Sequence, residues 1–374
     1  MTGRPTYAYI DLSALAHNLS EVRRCASGRK ILGIVKADAY GHGAVQCAKA
    51  LVKEGVDMLG VALVEEGSEL RKANINNEIL VLGGVFENQA ESLLEYNLTP
   101  AVYTTIQAES FSRAALNAGK ILPVHVKIDT GMGRVGITPE DSVDFVLSIS
   151  KMPGLKVIGL MTHLSDVAEK DKSFAELQVE RFKTVMQRLK DEGIEIPLAH
   201  ASGSAAVIDF AAAHFNMVRP GIMLYGCYPS ENMKDLVRLR PVMSLKTKIM
   251  HIKRVGPGTP ISYGRTFYTE KESVIATLPI GYADGLNRGL SNRGSVLIGG
   301  KRCPIVGVVC MDMTMVDVTS VLGAQVLDEA VIIGRQGVEE ITAGEVAKLL
   351  GTISYEVLCG VSKRVGREYS KIPK

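Results

Sequence analysis

Between about Ile31 and Tyr225 the chain alternates between short apolar runs and longer amphipathic stretches. The short runs are typical of buried parallel strands, whereas the stretch that starts at Phe174 carries apolar residues every three to four positions, as an amphipathic helix does. We interpret eight runs as strands, beginning at Ile31, Asp57, Glu78, Pro100, Pro123, Lys156, Pro197 and Asn216. Eight β–α units within about 200 residues predict an α/β fold with a (β/α)8 barrel of the TIM type rather than an open sheet.

After about Arg240 the pattern changes to strand-like runs separated by glycine and proline, and only the TAGEVAKLLG segment looks helical. This pattern is typical of a separate, mostly β domain. We therefore expect a barrel over residues 11–238 and a β domain over residues 239–374. A short strand within residues 1–10 is expected to pack with the C-terminal β domain.

The composition narrows the class of protein. A chain of 374 residues exceeds the size at which one core usually keeps growing, which agrees with two domains. Hydrophobic residues make up 46% and charged residues 22%, as in ordinary soluble proteins. The net charge of +3 is too small to favour a nucleic acid or an acidic membrane surface as a partner.

The N-terminal residues and the cysteines favour a cytoplasmic location. The first residues contain no apolar run of a signal peptide, and no stretch approaches the ~20 apolar residues of a membrane helix. The six cysteines are scattered and form no CxxC pair, so neither a metal site nor a disulfide framework is predicted. Reduced thiols in the cytosol fit this spacing best.

Chemistry in a (β/α)8 barrel lies at the carboxyl ends of its strands, and polar residues occur at or just beyond those ends here. They are Lys36, His125, Lys127, Arg134, His163, Ser204 and Arg219. A barrel that served only as a scaffold would not need them at one rim. The sequence therefore predicts a site at this rim.

Lys36 ends an otherwise apolar strand, and by itself it is better explained as a lysine whose amine reaches water. The loops after the seventh and eighth strands, SGSAA and RPGI, suit phosphate binding through backbone N–H groups, although each alone could be a tight turn. A phosphate site that faces an amine suggests pyridoxal phosphate as the cofactor.

Three tyrosines of the β domain stand out, although strand and turn preferences explain each one singly. Tyr263 and Tyr282 lie in glycine-flanked loops, and Tyr355 lies in SYEVLC. The CMDM segment, Cys310 to Met313, could equally be a buried strand end.

Taken together, the motifs resemble those of the alanine racemase family, the fold-III class of pyridoxal-phosphate enzymes. The segment VKADAYGHG is similar to the family's cofactor-lysine motif. It is followed in the family's order by KIDTGMGRVG, THL, GSAA, VRPGIMLYG, SYGRTF, PIGYADG, CMDM and SYEVLC. The resemblance implies an isomerase that interconverts L-alanine and D-alanine.

The resemblance also implies the catalytic residues. Lys36 would bind pyridoxal 5'-phosphate as an internal aldimine and act as one of two bases, taking the proton of D-alanine. Tyr263 would be the second base and take the proton of L-alanine. Arg219 would face the pyridine nitrogen and keep it unprotonated. His163 would pack against the ring and link Arg219 to Tyr263.

The binding residues follow from the same resemblance. The phosphate would be held by Tyr40, Ser204, Tyr355 and the backbone of Gly221 and Ile222. The residues assigned to substrate binding are Arg134, Tyr282 and Met311, and Arg134 would also contact the phenolic oxygen of the cofactor. Lys127 matches a position that is carbamylated in some members, where it would orient Arg134.

In the family Tyr263, Tyr282 and Met311 come from the neighbouring subunit, so the resemblance implies a homodimer whose β domain completes the partner's active site. Two positions depart from the family pattern. Gly203 stands where members often have asparagine, and Val308 stands where some relatives have an arginine at the substrate entrance.

Three alternatives stay open at this point. A serine or broad-range racemase would share every motif, because one methyl-sized difference discriminates weakly. A fold-III decarboxylase shares the domain plan but would not need Tyr263. A cofactor-binding carrier would need neither the tyrosine nor the second domain. The resemblance is compatible with D-alanine biosynthesis for peptidoglycan precursors and with D-alanine catabolism.

Overall fold

The computed structural model describes residues 3–371, and its chain divides into two units. The barrel unit comprises Leu15–Ala39 and Ala44–Leu239. The β unit comprises residues 3–14, Tyr40–Gly43 and residues 240–371.

The first strand, β1 (Tyr7–Ile10), belongs to the β unit, and the next eight strands form the all-parallel sheet of the barrel unit. These are β2 (Lys30–Ile34), β3 (Met58–Val61), β4 (Glu78–Val81), β5 (Thr99–Val102), β6 (Leu122–Lys127), β7 (Leu155–Met161), β8 (Leu198–His200) and β9 (Met217–Val218). Strands β2 to β8 pair consecutively, and β9 pairs with β2. The Arg219 N–H donates to the Ser202 carbonyl (2.8 Å), which links the chain after β9 to the chain after β8. The eight-stranded barrel prediction is confirmed.

Helices lie between the strands, and the amphipathic stretch that starts at Phe174 forms one of them. They are α1 (Leu12–Cys25), α2 (Lys36–Gly41), α3 (Ala44–Lys53), α4 (Val64–Lys72), α5 (Ala90–Glu95), α6 (Thr105–Asn117), α7 (Ser142–Ser150), α8 (Ser173–Asp191) and α9 (Ser204–Asp209). Short 3₁₀ turns cover Glu87–Gln89, Ala211–Ala213, Ile222–Tyr225 and Glu231–Met233. On α8, Ala175, Val179 and Phe182 are buried at a spacing of three to four residues. These side chains form the face of α8 that packs inward.

The barrel core explains the near-continuous apolar runs of the sequence. All four residues of β3 are buried, because a parallel sheet inside a barrel is covered on both faces. On β6 the burial continues to the last residue, so His125 and Lys127 lie in the interior. Burial of such polar side chains is costly unless they form specific interactions, and those interactions are described with the candidate site below.

The described residues of the β unit form three sheets. The large sheet is formed by β1, β10 (Met243–Lys248), β15 (Ser295–Ile298), β16 (Lys301–Pro304), β18 (Glu329–Gln336), β19 (Glu339–Ile341) and β20 (Gly366–Tyr369). The smaller sheets are formed by β11 (His251–Val255), β14 (Ser273–Leu278) and β17 (Thr314–Asp317), and by β12 (Pro260–Ile261) and β13 (Phe267–Tyr268). Strand β1 lies between β10 and β20, antiparallel to β10 and parallel to β20.

Two helices complete the β unit, α10 (Ala343–Leu350) and α11 (Ser354–Cys359), with 3₁₀ turns at Tyr263–Arg265, Tyr282–Asp284 and Arg288–Leu290. Helix α10 is the predicted TAGEVAKLLG helix. The expectation that it is the only helix of this domain is wrong, because SYEVLC forms α11. Six residues are too few to display a helical repeat in the sequence.

None of the helices formed by residues 3–371 is long and apolar enough to cross a membrane.

Candidate active site

Lys36 follows the buried end of β2 and begins α2, where its side chain is half-buried. The next four residues, Ala37 to Tyr40, all have φ between 52° and 53°, so this turn is left-handed. Such a conformation is unfavourable for residues other than glycine and is kept only where the surroundings enforce it.

Two carboxylates hold the left-handed turn within the barrel unit. The Ala37 N–H donates to Glu66 Oε1 (2.6 Å), and the Ala44 N–H donates to Asp38 Oδ1 (2.7 Å). Glu66 also accepts from the Ala62 N–H through its other oxygen (2.7 Å). The turn is therefore fixed to the start of α4, and the direction in which Lys36 leaves the barrel is set by these bonds.

Arg219 follows β9 and is only 5% exposed. Its guanidinium donates to the carbonyls of Thr162 (2.7 Å) and Ala201 (2.9 Å), and to Nδ1 of His200 (3.0 Å) and His163 (3.3 Å). All four acceptors are neutral, and no carboxylate among residues 3–371 forms an ion pair with Arg219. A buried cation without a counter-charge is costly and marks a functional site.

Arg219 also determines the protonation of His163, which follows β7. Because an arginine can only donate, His163 Nδ1 must be the acceptor, and its ring proton lies on Nε2. Burial, followed by the charge of Arg219, holds the pKa of His163 well below its ordinary value. His163 is therefore neutral near pH 7 and offers an Nε2–H donor to the site.

The loops after β8 and β9 meet at Ser204, the first residue of α9. The N–H groups of Gly221 (2.9 Å) and Met223 (3.3 Å) both donate to Ser204 Oγ. This arrangement uses the acceptor capacity of the hydroxyl and leaves its O–H proton to donate to an anion.

Lys127 is buried at the end of β6, and Arg134 is exposed in the loop that follows. The loop wraps around Asp129, whose carboxylate accepts hydrogen bonds from the backbone N–H groups of all four residues from Gly131 to Arg134. Burial, followed by the charges of Arg219 and Arg134, holds the pKa of Lys127 well below its ordinary value. The amine is thus biased toward its neutral, nucleophilic form.

The β unit brings a second group of predicted residues together. Tyr282 N–H donates to the Cys310 carbonyl (3.0 Å), and Ala283 N–H donates to the Met311 carbonyl (3.0 Å). A Cβ at Gly281 would lie 2.3 Å from both carbonyl oxygens, so only glycine fits there. Tyr282 and Met311 are 43% and 53% exposed.

Tyr263 joins the same part of the β unit and is 73% exposed. It follows Ser262, which has φ 67° and ψ −175°, a region that is normally restricted to glycine. The Ser262 hydroxyl donates to the Val308 carbonyl (2.6 Å), which anchors the turn that carries Tyr263. Tyr40 and Tyr355 are also neighbours in the β unit, with ring centroids 5.9 Å apart.

Sequence reasoning gave no role to His200 or Glu66. The one signal for His200 was a histidine inside the largely apolar PLAHAS run. Glu66 lies on an ordinary amphipathic helix, and nothing in the pattern connects it to Lys36.

Comparisons with known proteins match both units of the chain to one family. The family model "Alanine racemase, N-terminal domain" matches residues 10–229, and "Alanine racemase, C-terminal domain" matches residues 242–369. An alanine racemase of Halothermothrix orenii is 48% identical over 367 residues, which cover 98% of this chain and 97% of that protein. Alanine racemase 2 of Caldanaerobacter subterraneus is 48% identical over 368 residues, with coverages of 98% and 95%.

A solved structure leads to the same family. The alanine racemase of Clostridium difficile 630 superimposes with a TM-score of 0.95 at 42% identity, covering 99% of this chain and 97% of that one. Relatives above 40% identity align over both units, and both family models match. The chain therefore belongs to the alanine racemase family of isomerases.

Proposed function

We propose that this chain interconverts L-alanine and D-alanine with pyridoxal 5'-phosphate bound at the barrel rim, using Lys36 and the partner subunit's Tyr263 as two bases. The observation that carries the proposal is Arg219, a buried cation aimed into the rim with neutral acceptors only. The family match supports the reaction, and the barrel geometry supports the role of each residue.

The residues present fit this cofactor. Arg219 offers N–H donors to a ring nitrogen, and the Ser204 hydroxyl offers a donor to a phosphate, beside the backbone of Gly221 and Ile222. Tyr40 and Tyr355 are the proposed phosphate contacts of the β unit. The Lys36 amine would bind the cofactor's aldehyde covalently. When bound, the cofactor makes the α-proton of the amino acid acidic.

The chain's own groups would then move the proton. Lys36 Nζ would take the α-proton of D-alanine on one face, and Tyr263 Oη would take that of L-alanine on the other. Because His163 carries its proton on Nε2, it can donate to the deprotonated Tyr263 oxygen and favour that form. Arg219, which holds His163 Nδ1, thus supports the second base.

Substrate binding would combine residues from both subunits of the dimer. Arg134 lies beyond β6, while Met311 and Tyr282 are exposed on the β unit, and we propose that they reach the partner's rim. The Met311 carbonyl accepts from Ala283 N–H. Because a carboxylate is itself an acceptor, the Met311 N–H is the backbone group that would bind the substrate carboxylate. High exposure of Tyr263, Tyr282 and Met311 supports a homodimer with shared sites.

The test is the decay of circular dichroism of L-alanine with the purified, cofactor-loaded protein, followed by the reverse assay with D-alanine. Both enantiomers should become racemic, and borohydride should fix the cofactor on the peptide that contains Lys36. Lys36→Ala should abolish both results. Lys30→Ala, at the exposed first residue of β2, should change neither.

Three results would contradict the proposal. Faster turnover of serine would indicate a broad racemase, and carbon dioxide release would indicate a decarboxylase. Fixation of the cofactor on Lys30 or Lys49 would remove the role of Lys36.

We also propose that Lys127 is carbamylated. Its neutral amine would attack carbon dioxide, form an N–C bond and release one proton to solvent, leaving an anion near Arg134 and Arg219. Protein equilibrated with ¹³C-bicarbonate should show one carbamate carbon resonance, which Lys127→Gln should remove. A wild-type spectrum without that resonance, together with electron density for a bare amine, would refute the carbamate.

A further inference from the structure

His125 lies on β6 in the interior of the barrel and is fully buried. Its Nδ1 is 2.8 Å from His200 Nε2, and the two rings meet edge to face with centroids 5.0 Å apart. His200 Nδ1 in turn accepts from Arg219 (3.0 Å). Arg219, His200 and His125 therefore form a continuous hydrogen-bonded series that ends in the core.

The local structure is built to accept this imidazole. The pairing of β6 with β7 shifts register between Val124 and His125, which changes the direction of the strand at this position. On β7, a Cβ at Gly159 would lie 2.3 Å from His125 Nδ1. Only glycine leaves room for the ring at this position. The register shift on β6 and the glycine on β7 therefore both accommodate the His125 side chain.

The positions of the protons follow from the guanidinium. Arginine has no acceptor, so His200 Nδ1 carries no proton, and the ring proton of His200 lies on Nε2. That N–H donates to His125 Nδ1, which leaves the proton of His125 on Nε2. Burial, followed by the charge of Arg219, lowers the pKa of His125 to about 3 and that of His200 well below its ordinary value. Both rings are therefore neutral near pH 7.

The end of the series is an unpaired polar atom. His125 Nε2 is buried and has no hydrogen-bond partner among the described residues. An apolar residue would avoid the cost of burying that N–H, so packing does not explain a histidine here. What a histidine adds is the acceptor at Nδ1.

We propose that His125 is a positioning residue for the racemisation site, because its Nδ1 fixes His200 in the Nε2–H form and so keeps the His200 Nδ1 lone pair on Arg219. The proposal rests on the proposed function for its link to catalysis. Without the acceptor, the Nδ1–H form of His200 becomes accessible. That form would place an N–H against the Arg219 N–H and displace the guanidinium, together with its bond to His163.

The test is ¹⁵N NMR of the full-length, cofactor-loaded protein with labelled histidine, which gives signals for seven residues. In the wild type, His200 should be protonated at Nε2 and unprotonated at Nδ1. In His125→Phe, the Nε2–H and Nδ1–H forms of His200 should both be populated. The kcat should fall about tenfold in both directions, which corresponds to an activation free energy higher by about 1.4 kcal/mol. His125→Asn, whose Oδ1 occupies the same branch of the side chain as Nδ1, should restore most of both properties.

Phe111→Leu, in the buried face of α6, is the packing control. It should lower the melting temperature and leave the His200 signals and kcat unchanged. A wild-type His200 protonated at Nδ1 would overturn the proposal, as would His125→Phe with unchanged signals and rate. If His125→Phe does not fold, the proposal is tested by the protonation of His200 in the wild type and by the His200 signals and kcat of His125→Asn. If the wild type shows His200 protonated at Nε2 but has no racemase activity, the proposed function is refuted, whereas the hydrogen-bonded series from Arg219 to His125 is still supported.

Discussion

Arg219 has the least usual surroundings of the proposed site residues. It is buried, and its donors are spread over two carbonyls and the Nδ1 atoms of His163 and His200. Both contacts favour the form of each neutral histidine that carries its proton on Nε2. These four acceptors hold the guanidinium in position without an ion pair to a carboxylate of the described residues.

Arg219→Glu should therefore have consequences beyond lost charge. The carboxylate would leave His163 and His200 without their donor, and it would allow a proton to stay on the ring nitrogen of the cofactor. We expect kcat for racemisation to fall at least about 100-fold, about 2.7 kcal/mol, while transamination to pyruvate rises. Both rates can be measured with L-alanine in one reaction.

Arg219→Lys is the control for this substitution. It keeps a positive charge but lacks the forked donors, so racemisation should fall without a rise in transamination. An Arg219→Glu protein with the wild-type rate and products would show that Arg219 does not lie beside the ring.

At the scale of elements, hydrophobic periodicity predicted the strands and the longest helices but not the turns on which the proposed site residues lie. All eight barrel strands were predicted because buried parallel strands are continuous apolar runs. The left-handed turn at Ala37 to Tyr40 could not be predicted, because alanine and tyrosine have no preference for positive φ and the bond from Ala37 to Glu66 spans 29 residues. Helix α11 was missed because it is too short to show periodicity.

Gly281 tests the loops of the β unit. In Gly281→Ala the new Cβ would meet the carbonyl oxygens of Cys310 and Met311 at 2.3 Å, and backbone atoms cannot move aside cheaply. The variant should lose more than ~2 kcal/mol of unfolding free energy and most of its racemisation rate. Chemical denaturation and the circular-dichroism assay measure the two effects.

Gly256→Ala is the matched control, because nothing lies within 4 Å of a Cβ at that position. It should leave both stability and activity near the wild-type values. Full activity in Gly281→Ala would contradict the view that these loops set the positions of Tyr282 and Met311.

At the scale of the whole molecule, the change of pattern near Arg240 predicted a second, mostly β domain. The position of β1 between β10 and β20 depends on pairing between the two ends of the chain, which local patterns cannot establish. Likewise, nothing in the sequence predicted that Tyr40–Gly43 belongs to the β unit, where Arg367 donates to the Gly41 carbonyl (3.1 Å and 3.0 Å). The roles of the exposed Tyr263 and Met311 came from the family resemblance, because exposure alone does not identify a partner.

We propose that Lys36 of one subunit and Tyr263 of the other form each site, and mixed dimers test this arrangement most directly. Lys36→Ala and Tyr263→Phe homodimers should each be nearly inactive with L-alanine. After joint refolding, half of the dimers should be mixed, and each mixed dimer should have one intact site of two. Activity should therefore recover to about a quarter of wild type, if the two sites act independently. Differently tagged chains that form mixed dimers without any recovery of activity would contradict the shared site.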